Sequence, residues 1–293
     1  MRPHARERHE ESRTDAPHGK LRMSSVRRRL DLEMVRRGLA VTQSEAQQAV
    51  RSGVVTVAAH PATKPSTLVE EGEAIRVSRA SRTFVSRGGD KLAAALDRFR
   101  IEVGGGRCLD AGASTGGFTD CLLRRGAASV VAVDVGYGQF AWVLRNDPRV
   151  TLLERTNVRD LVPEDLPFAP DLLVADLSFV SLRGVVGVLG RLAAPGATVV
   201  CLVKPQFEAG RGGVGKGGVV REPKAWLRAI EGVAEACRES GLLPAGAMAS
   251  PLVGPAGNVE FLLYCVHGDG GTHAGYADFP AAVREGIELG LIR

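Results

Sequence analysis

The sequence lacks any long apolar run. Its richest stretch, Val185 to Val203, is broken by Arg191, Pro195 and Gly196. A membrane helix needs roughly 18 to 20 uninterrupted apolar residues, so a soluble chain is expected. Cysteine is sparse: Cys108, Cys121, Cys201, Cys237 and Cys265 include no C-x-x-C pair. That excludes a disulfide scaffold, and Cys108, Cys201 and Cys265 read as small buried hydrophobes in a reducing compartment. Beyond residue 60 the only histidines are His267 and His273, in a glycine-rich HGDGGTH without a neighbouring cysteine or carboxylate pair. No metal site is expected there. The opening MRPHARERHEESRTDAPHGK has no apolar core for a secretory signal, and its acidic residues argue against a transit peptide. A cytoplasmic location is expected.

What is present is divided unevenly. Residues 1 to 91 hold 18 Lys or Arg against 11 Asp or Glu, whereas residues 92 to 293 hold 20 against 22. A basic module joined to a nearly neutral one suggests delivery to an anionic target, most simply nucleic acid. The pattern divides into a basic tail at 1–25, a small α+β domain at 26–79, a linker at 80–90 and an α/β domain at 91–293. Within the small domain, RRRLDLEMVRRGL has helical spacing and stops at Gly38. SEAQQAVRSG follows a Thr42 to Ser44 cap region and stops at Gly53, and VVTV and AIRV read as short strands.

The string from Arg29 to Val77 resembles the RNA-binding module shared by ribosomal small-subunit protein S-four, pseudouridine synthases and related RNA modifiers. The resemblance implies a basic face of Arg27, Arg28, Arg29, Arg36, Arg37 and Arg51 contacting phosphates with little base reading. Thr42 and Gln43 stand where the family has a Ser-Arg pair, which implies weaker RNA binding. Arg79, Arg82 and Arg87 in the linker are expected to add contacts.

From Arg107 the chain alternates apolar runs (RCLDAG, SVVAVDV, TLLER, DLLVADLS, TVVCLVK, VEFLLYCV) with helix-length segments. That rhythm predicts a mostly parallel, doubly wound sheet, whose ligands bind beyond the carboxyl ends of its strands. The first run ends in DAGASTGGFTD, residues 110 to 120. Its glycines let a ligand approach the backbone, although the pattern is not G-x-G-x-x-G. Asp134 closes the second run, where a carboxylate can accept ribose hydroxyls. Asp110 precedes the turn and suits a cationic amine, favouring S-adenosylmethionine over NAD. These residues point to a methyltransferase, with another nucleoside binder or a structural turn as alternatives. GRGGVGKG, residues 210 to 217, lacks the Ser or Thr of a phosphate loop and reads as a mobile loop.

Lysine is rare, six residues against 32 arginines, and an amine can release a proton where a guanidinium cannot. Lys204 closes the run TVVCLVK, Lys91 opens the helix KLAAALDRF, Asp176 closes the fourth run and Glu260 opens the last. This set resembles the Lys-Asp-Lys-Glu tetrad of the RrmJ/FtsJ-type ribose methyltransferases. With VSRGGDKL, DAGASTGGFTD, VADLSFVSL, VKPQFEAGR and GNVEF, the chain resembles the TlyA family, also called hemolysins. The resemblance implies a Rossmann-like methyltransferase fold with a seven-stranded sheet, S-adenosylmethionine as cofactor, and 2′-O-methylation of cytidine in ribosomal RNA or ribosomal subunits. It implies catalytic Lys91, Asp176, Lys204 and Glu260, and cofactor contacts from Asp110, Gly112, Ser114, Thr115, Gly116, Gly117, Phe118, Asp134, Asn157, Val158 and Asp176. The alternatives are a non-catalytic RNA-binding assembly factor, against which an intact tetrad speaks, and a pore-forming hemolysin, against which the lack of a membrane-length segment speaks.

Overall fold

The computed structural model describes residues 27–40, 42–51, 53–77, 84–210, 214–268 and 277–291. The expected tail at 1–25, Arg79, Arg82, His273 and the centre of the 210–217 loop lie outside the described residues. The chain divides into two units, Met1–Ser81 and Arg82–Arg293.

In the first unit, β1 (Arg28–Arg29) precedes α1 (Leu30–Arg36) and α2 (Gln43–Arg51). There follow β2 (Val55–Val57), β3 (His60–Pro61), β4 (Leu68–Val69) and β5 (Ile75–Val77). Leu30 and Met34 recur at i, i+4 on α1 and bury against Ala46 and Val50 of α2. Burial of each such large side chain contributes roughly 1.5–3 kcal/mol. The Thr42 hydroxyl caps α2 by accepting from Glu45 N at 3.1 Å. Arg28 and Arg29, expected at the start of the first helix, instead pair antiparallel with Val69 and Leu68. Pro61, expected in a loop, sits on the edge strand of the β3-β2-β5 sheet, where a missing N–H is tolerated.

The second unit runs α3 (Arg87–Phe99), β6 (Arg107–Ala111), α4 (Gly117–Arg124), β7 (Ser129–Asp134), α5 (Trp142–Arg145), β8 (Val150–Glu154) and β9 (Leu172–Ala175). It continues α6 (Val186–Leu192), β10 (Thr198–Val203), α7 (Pro205–Glu208), α8 (Pro223–Glu239), β11 (Leu242–Ala249), β12 (Phe261–His267) and α9 (Phe279–Leu291). The seven strands lie in the order β11-β12-β10-β9-β6-β7-β8. β8, β7, β6, β9 and β10 are mutually parallel, and β12 runs antiparallel between β10 and β11. The central strands are covered on both faces, which is why their sequences read as continuous apolar runs. One face packs on α6, α8 and α9, the other on α3 and α4. The chain leaves β6 toward β7 and β8, then returns beside β6 at β9, opening a crevice at that reversal.

β11 had no apolar signature. Its LLPAGAMA holds a bulge between Pro244 and Gly246, and a Cβ at Gly246 would strike the Phe99 ring at 2.7 Å. An edge position accommodates both irregularities. Cys108, Cys121, Cys201, Cys237 and Cys265 are buried free thiols. Among the described residues no helix is long and apolar enough to cross a membrane, and no group of three potential metal ligands exists.

Two buried acids organise the first unit. Glu33 lies under Arg36 and Arg37, which hold its carboxyl down at about 2. Asp31 is held well below the usual range by Arg29, then Gln43 and Gln47. Because both folded values are depressed, their stabilisation is complete above the unfolded glutamate value of 4.5 and is lost as pH falls through the folded values. Protection factors of amides 30–36, taken relative to intrinsic exchange at each pH, should therefore fall progressively between about pH 5 and about pH 2, and Glu33→Gln should flatten that dependence.

Candidate active site

The loop after β6 begins at Gly112, with φ +88°. A Cβ there would lie 2.6 Å from the Asp176 carbonyl oxygen, so only glycine lets the β6 and β9 ends approach this closely. Gly112 N and Ala113 N both donate to Val133 O, at 2.8 and 3.0 Å. Asp134, the last residue of β7, accepts from Ser114 N at 2.7 Å, Gly136 N at 2.6 Å and Gln139 Nε2 at 3.1 Å. The acid thus splints the glycine turn to the loop after β7.

These strand ends surround a cavity of about 510 Å³, a size suited to a small-molecule ligand. Of the expected cofactor residues, Gly112, Ser114, Asp134, Asn157, Val158 and Asp176 line it. Thr115, Gly116, Gly117 and Phe118 do not. Gly117 makes room for Ser86 Oγ, the cap of α3, and Phe118 is packed into the core between α3 and α4. Asp110 is fully buried. Its Oδ2 accepts from the Thr119 hydroxyl at 2.6 Å, and its Oδ1 has no partner. Burial first, and then the nearby Asp176 and Asp134 charges, push this carboxyl up to about 7 against the Thr119 bond.

Strand alternation explains how Asp176, Lys204 and Glu260 come to one side of the sheet. Cys108, Leu172, Val174, Val200, Leu202 and Leu262 all face the core on the α3 and α4 side. Continuing the period of two places Asp110, Asp176, Lys204 and Glu260 on that same side, at the strand ends. The last registered pair of β10 and β12 is Val203 with Phe261, so Lys204 and Glu260 are the next antiparallel neighbours. Lys204 Nζ lies 2.7 Å from Asp176 Oδ1 and donates to Ser178 Oγ at 2.9 Å. Lys91, from α3, donates to Glu260 Oε2 at 2.5 Å. Lys91, Lys204 and Glu260 are 5%, 8% and 1% exposed. The result is two lysine–carboxylate pairs set into the strand ends, one of them sharing Asp176 with the cavity wall.

Several residues escaped the sequence reading. Phe179 is 91% exposed on the cavity rim, at φ +64°, with its ring 5.4 Å from that of Phe207. Lys204 Nζ stands 6.0 Å from the Phe207 ring. An aromatic residue flanked by Ser178 and Val180 has no helical or strand period to mark it, and its signal was adjacency to Asp176. Asn258, 1% exposed, accepts from Val220 N and donates to Gly218 O, both at 2.9 Å. It anchors the far end of the 210–217 loop near Glu260.

In the first unit the expected arginine face is largely engaged with acids. Arg27 pairs with Glu70, Arg29 with Asp31, and Arg36 with Glu33 and Glu71, while Arg28 stands 3.9 Å from Glu33 and 4.0 Å from Glu71. Arg37 donates to Glu33 and to the carbonyls of Glu70, Glu71 and Glu73. Arg51 is exposed. Arg87 opens α3 and reaches Val253 O at 3.4 Å.

The fold and this site define a methyltransferase. The family model described as FtsJ-like methyltransferase matches residues 84–266, and the S4 domain model matches residues 28–75. A Mycobacterium tuberculosis relative named 16S/23S rRNA (cytidine-2'-O)-methyltransferase TlyA is 54% identical over 81% of this chain and 89% of its own. Hemolysin A of Brachyspira hyodysenteriae is 36% identical over 81% and 99%. A solved Streptococcus thermophilus structure carrying a hemolysin name is 35% identical, with TM-score 0.70 over 91% of this chain and 96% of that one. The chain belongs to the TlyA family.

Removing one partner of a buried ion pair leaves the other charge uncompensated, which costs about 3–5 kcal/mol. Lys91→Ala should lower stability by that order in chemical denaturation. Lys91→Met combined with Glu260→Met should recover most of it, which separates the structural share of this pair from any chemical one.

Proposed function

We propose that this protein methylates the 2′-hydroxyl of a ribose, that of a cytidine, in ribosomal RNA. The carrying observation is Lys204, nearly buried between Asp176 and Ser178 at the cavity edge. S-adenosylmethionine, when bound, supplies a methyl group on a cationic sulfur. The residues present fit it: Asp134 Oδ2, bonded only to Ser114 N among the described residues, retains an acceptor site for a ribose hydroxyl, Asn157 and Val158 on the cavity wall suit an adenine, and the unpartnered Asp110 Oδ1 suits an ammonium group. Thr115, Gly116, Gly117 and Phe118 act beneath it, holding the start of α4 in place.

A ribose hydroxyl is a weak nucleophile, so its attack on a methyl group needs a base or a charge stabiliser. In this reading Lys204 first gives its proton to solvent, and the neutral amine, still held by Asp176, takes the ribose hydroxyl proton as that oxygen becomes methylated. Asp176 orients that amine, and the Lys91–Glu260 pair holds a second amine alongside. Alignment of hydroxyl and methyl supplies much of the acceleration. Phe179 offers an exposed ring on which the target base can stack, at about 1–3 kcal/mol per base. Residues 26–79 bring the RNA, with Arg27, Arg28, Arg29, Arg36 and Arg51 presenting guanidiniums to phosphates and Arg79, Arg82 and Arg87, the last at the start of α3, extending that contact. Residues 91–293 perform the transfer, and the substrate places the protein with ribosomes in the cytoplasm.

Lys204→Ala should abolish methyl transfer to ribosomal RNA, read by ribose-methylation mapping, while calorimetric affinity for S-adenosylmethionine stays within about threefold. Retained turnover would remove the mechanism. Phe179→Ala should lower kcat/KM for RNA by about tenfold or more with cofactor affinity unchanged.

A further inference from the structure

Asp110 has the chemistry of an unfinished ion pair. It is wholly buried, one carboxylate oxygen is bound and the other is not. Thr119, itself fully buried on α4, is its donor through the hydroxyl at 2.6 Å, with the Thr119 backbone amide adding a second bond. The charges facing it from neighbouring strands are Asp176 after β9 and Asp134 at the end of β7, both negative. Its own strand contributes only the buried Cys108 thiol. Among the described residues of the site the two lysines are already paired: Lys91 with Glu260 and Lys204 with Asp176. On α4, Asp120 turns away to Val85 N and Arg124. A buried carboxylate beside two acids, with one oxygen unpartnered, is suited to receive positive charge from a ligand.

We infer that Thr119 is a positioning residue for the cofactor: its hydroxyl fixes Asp110 with Oδ1 open to an ammonium group, and binding of an ammonium-bearing ligand expels the Asp110 proton. The inference rests on the cofactor site proposed above. Empty, the carboxyl is held near 7 by burial and its two acidic neighbours, so around neutrality part of the population is protonated. An arriving ammonium needs the ionised form, so affinity rises with pH through this range. Thr119 favours that form because its hydroxyl bonds to the charged carboxylate. Removing the hydroxyl leaves a charge-assisted bond unmade, equivalent to about one pH unit.

The test is calorimetry on the full chain with S-adenosylhomocysteine, which keeps the ammonium group, and 5′-methylthioadenosine, which lacks it. Titrations in two buffers of different ionisation heat count protons released. For the wild type, S-adenosylhomocysteine should release protons near pH 7 and methylthioadenosine none. Thr119→Val should move the midpoint of the affinity–pH curve up by about one unit, weakening S-adenosylhomocysteine about tenfold at pH 7 and little at pH 9, with Thr119→Ser restoring the wild-type curve. Asp110→Asn should bind weakly and without pH dependence, a check that stands even where Thr119→Val fails to fold. An unshifted curve for Thr119→Val, or an equal loss at every pH, overturns the positioning role. Wild-type binding without proton release overturns the coupling and leaves the cofactor site standing, whereas no wild-type binding removes both.

Discussion

The approach of the Gly112 backbone to the Asp176 carbonyl oxygen is the constraint on which the site depends. Parallel strands β6 and β9 are neighbours in the sheet but are separated in the chain by two strands and their connections. At this reversal a crevice opens. With no side chain at position 112, the turn lies against Asp176, which belongs to the cavity wall and to the Lys204 pair at once. A bulkier residue would push the two strand ends apart and move the cavity wall away from the lysine. The backbone contact therefore couples binding geometry to chemical geometry, and Asp134 secures it from the far side by holding Ser114 N and Gly136 N.

The electrostatics follow from where those strands end. Two lysines and two carboxylates at the edge of an apolar sheet form a charge-neutral group, paired so that neither lysine is isolated. Such pairs are weak sources of stability, since desolvation offsets their attraction, and hydrophobic replacements of similar volume are often at least as stable. One of the two pairs reaches the cavity wall through Asp176, which argues for a chemical reason to keep it. Asp110, deeper on the same face, departs from this neutrality. It is a buried acid with one oxygen unpartnered and no cation paired with it among the described residues.

Legibility in the sequence tracked burial. The central strands were readable because both of their faces are covered, and the residues closing them could then be named from position alone: Asp134, Asp176, Lys204 and Glu260 all stand at or beside strand ends. β11 was not readable, because an edge strand bearing Pro244, a bulge and Gly246 has neither alternation nor an apolar run. The DAGASTGGFTD string reaches the cavity through Gly112 and Ser114, yet its glycines divide in purpose: Gly112 serves the cavity, and Gly117 serves the packing of α4 against the cap of α3. A motif read as one unit conceals that division. Phe179 was missed because exposure of an apolar residue is a property of the fold, which no local pattern encodes.

The basic first unit shows the same limit in its charges. Counting residues gives a large positive excess for the first 91 positions, but a count does not reveal that Asp31 and Glu33 sit buried beneath the arginines. Arg37, with bonds to Glu33 and three backbone carbonyls, has become part of the domain's frame. Arg36 and Arg29 are different, since they hold their buried acids while their side chains remain 45% and 44% exposed. A guanidinium has five donors in a rigid fork, so one edge can be fixed by a carboxylate while another stays open to solvent. Anchored this way, the group loses less side-chain entropy on meeting a phosphate than a free arginine would. Gln43 extends the logic: where a second arginine would compete for Asp31, its amide donates to that carboxylate at 3.1 Å and adds no charge. The acids beneath the basic face therefore reduce its net charge while fixing the direction of what remains, which exchanges long-range attraction for geometric definition at contact.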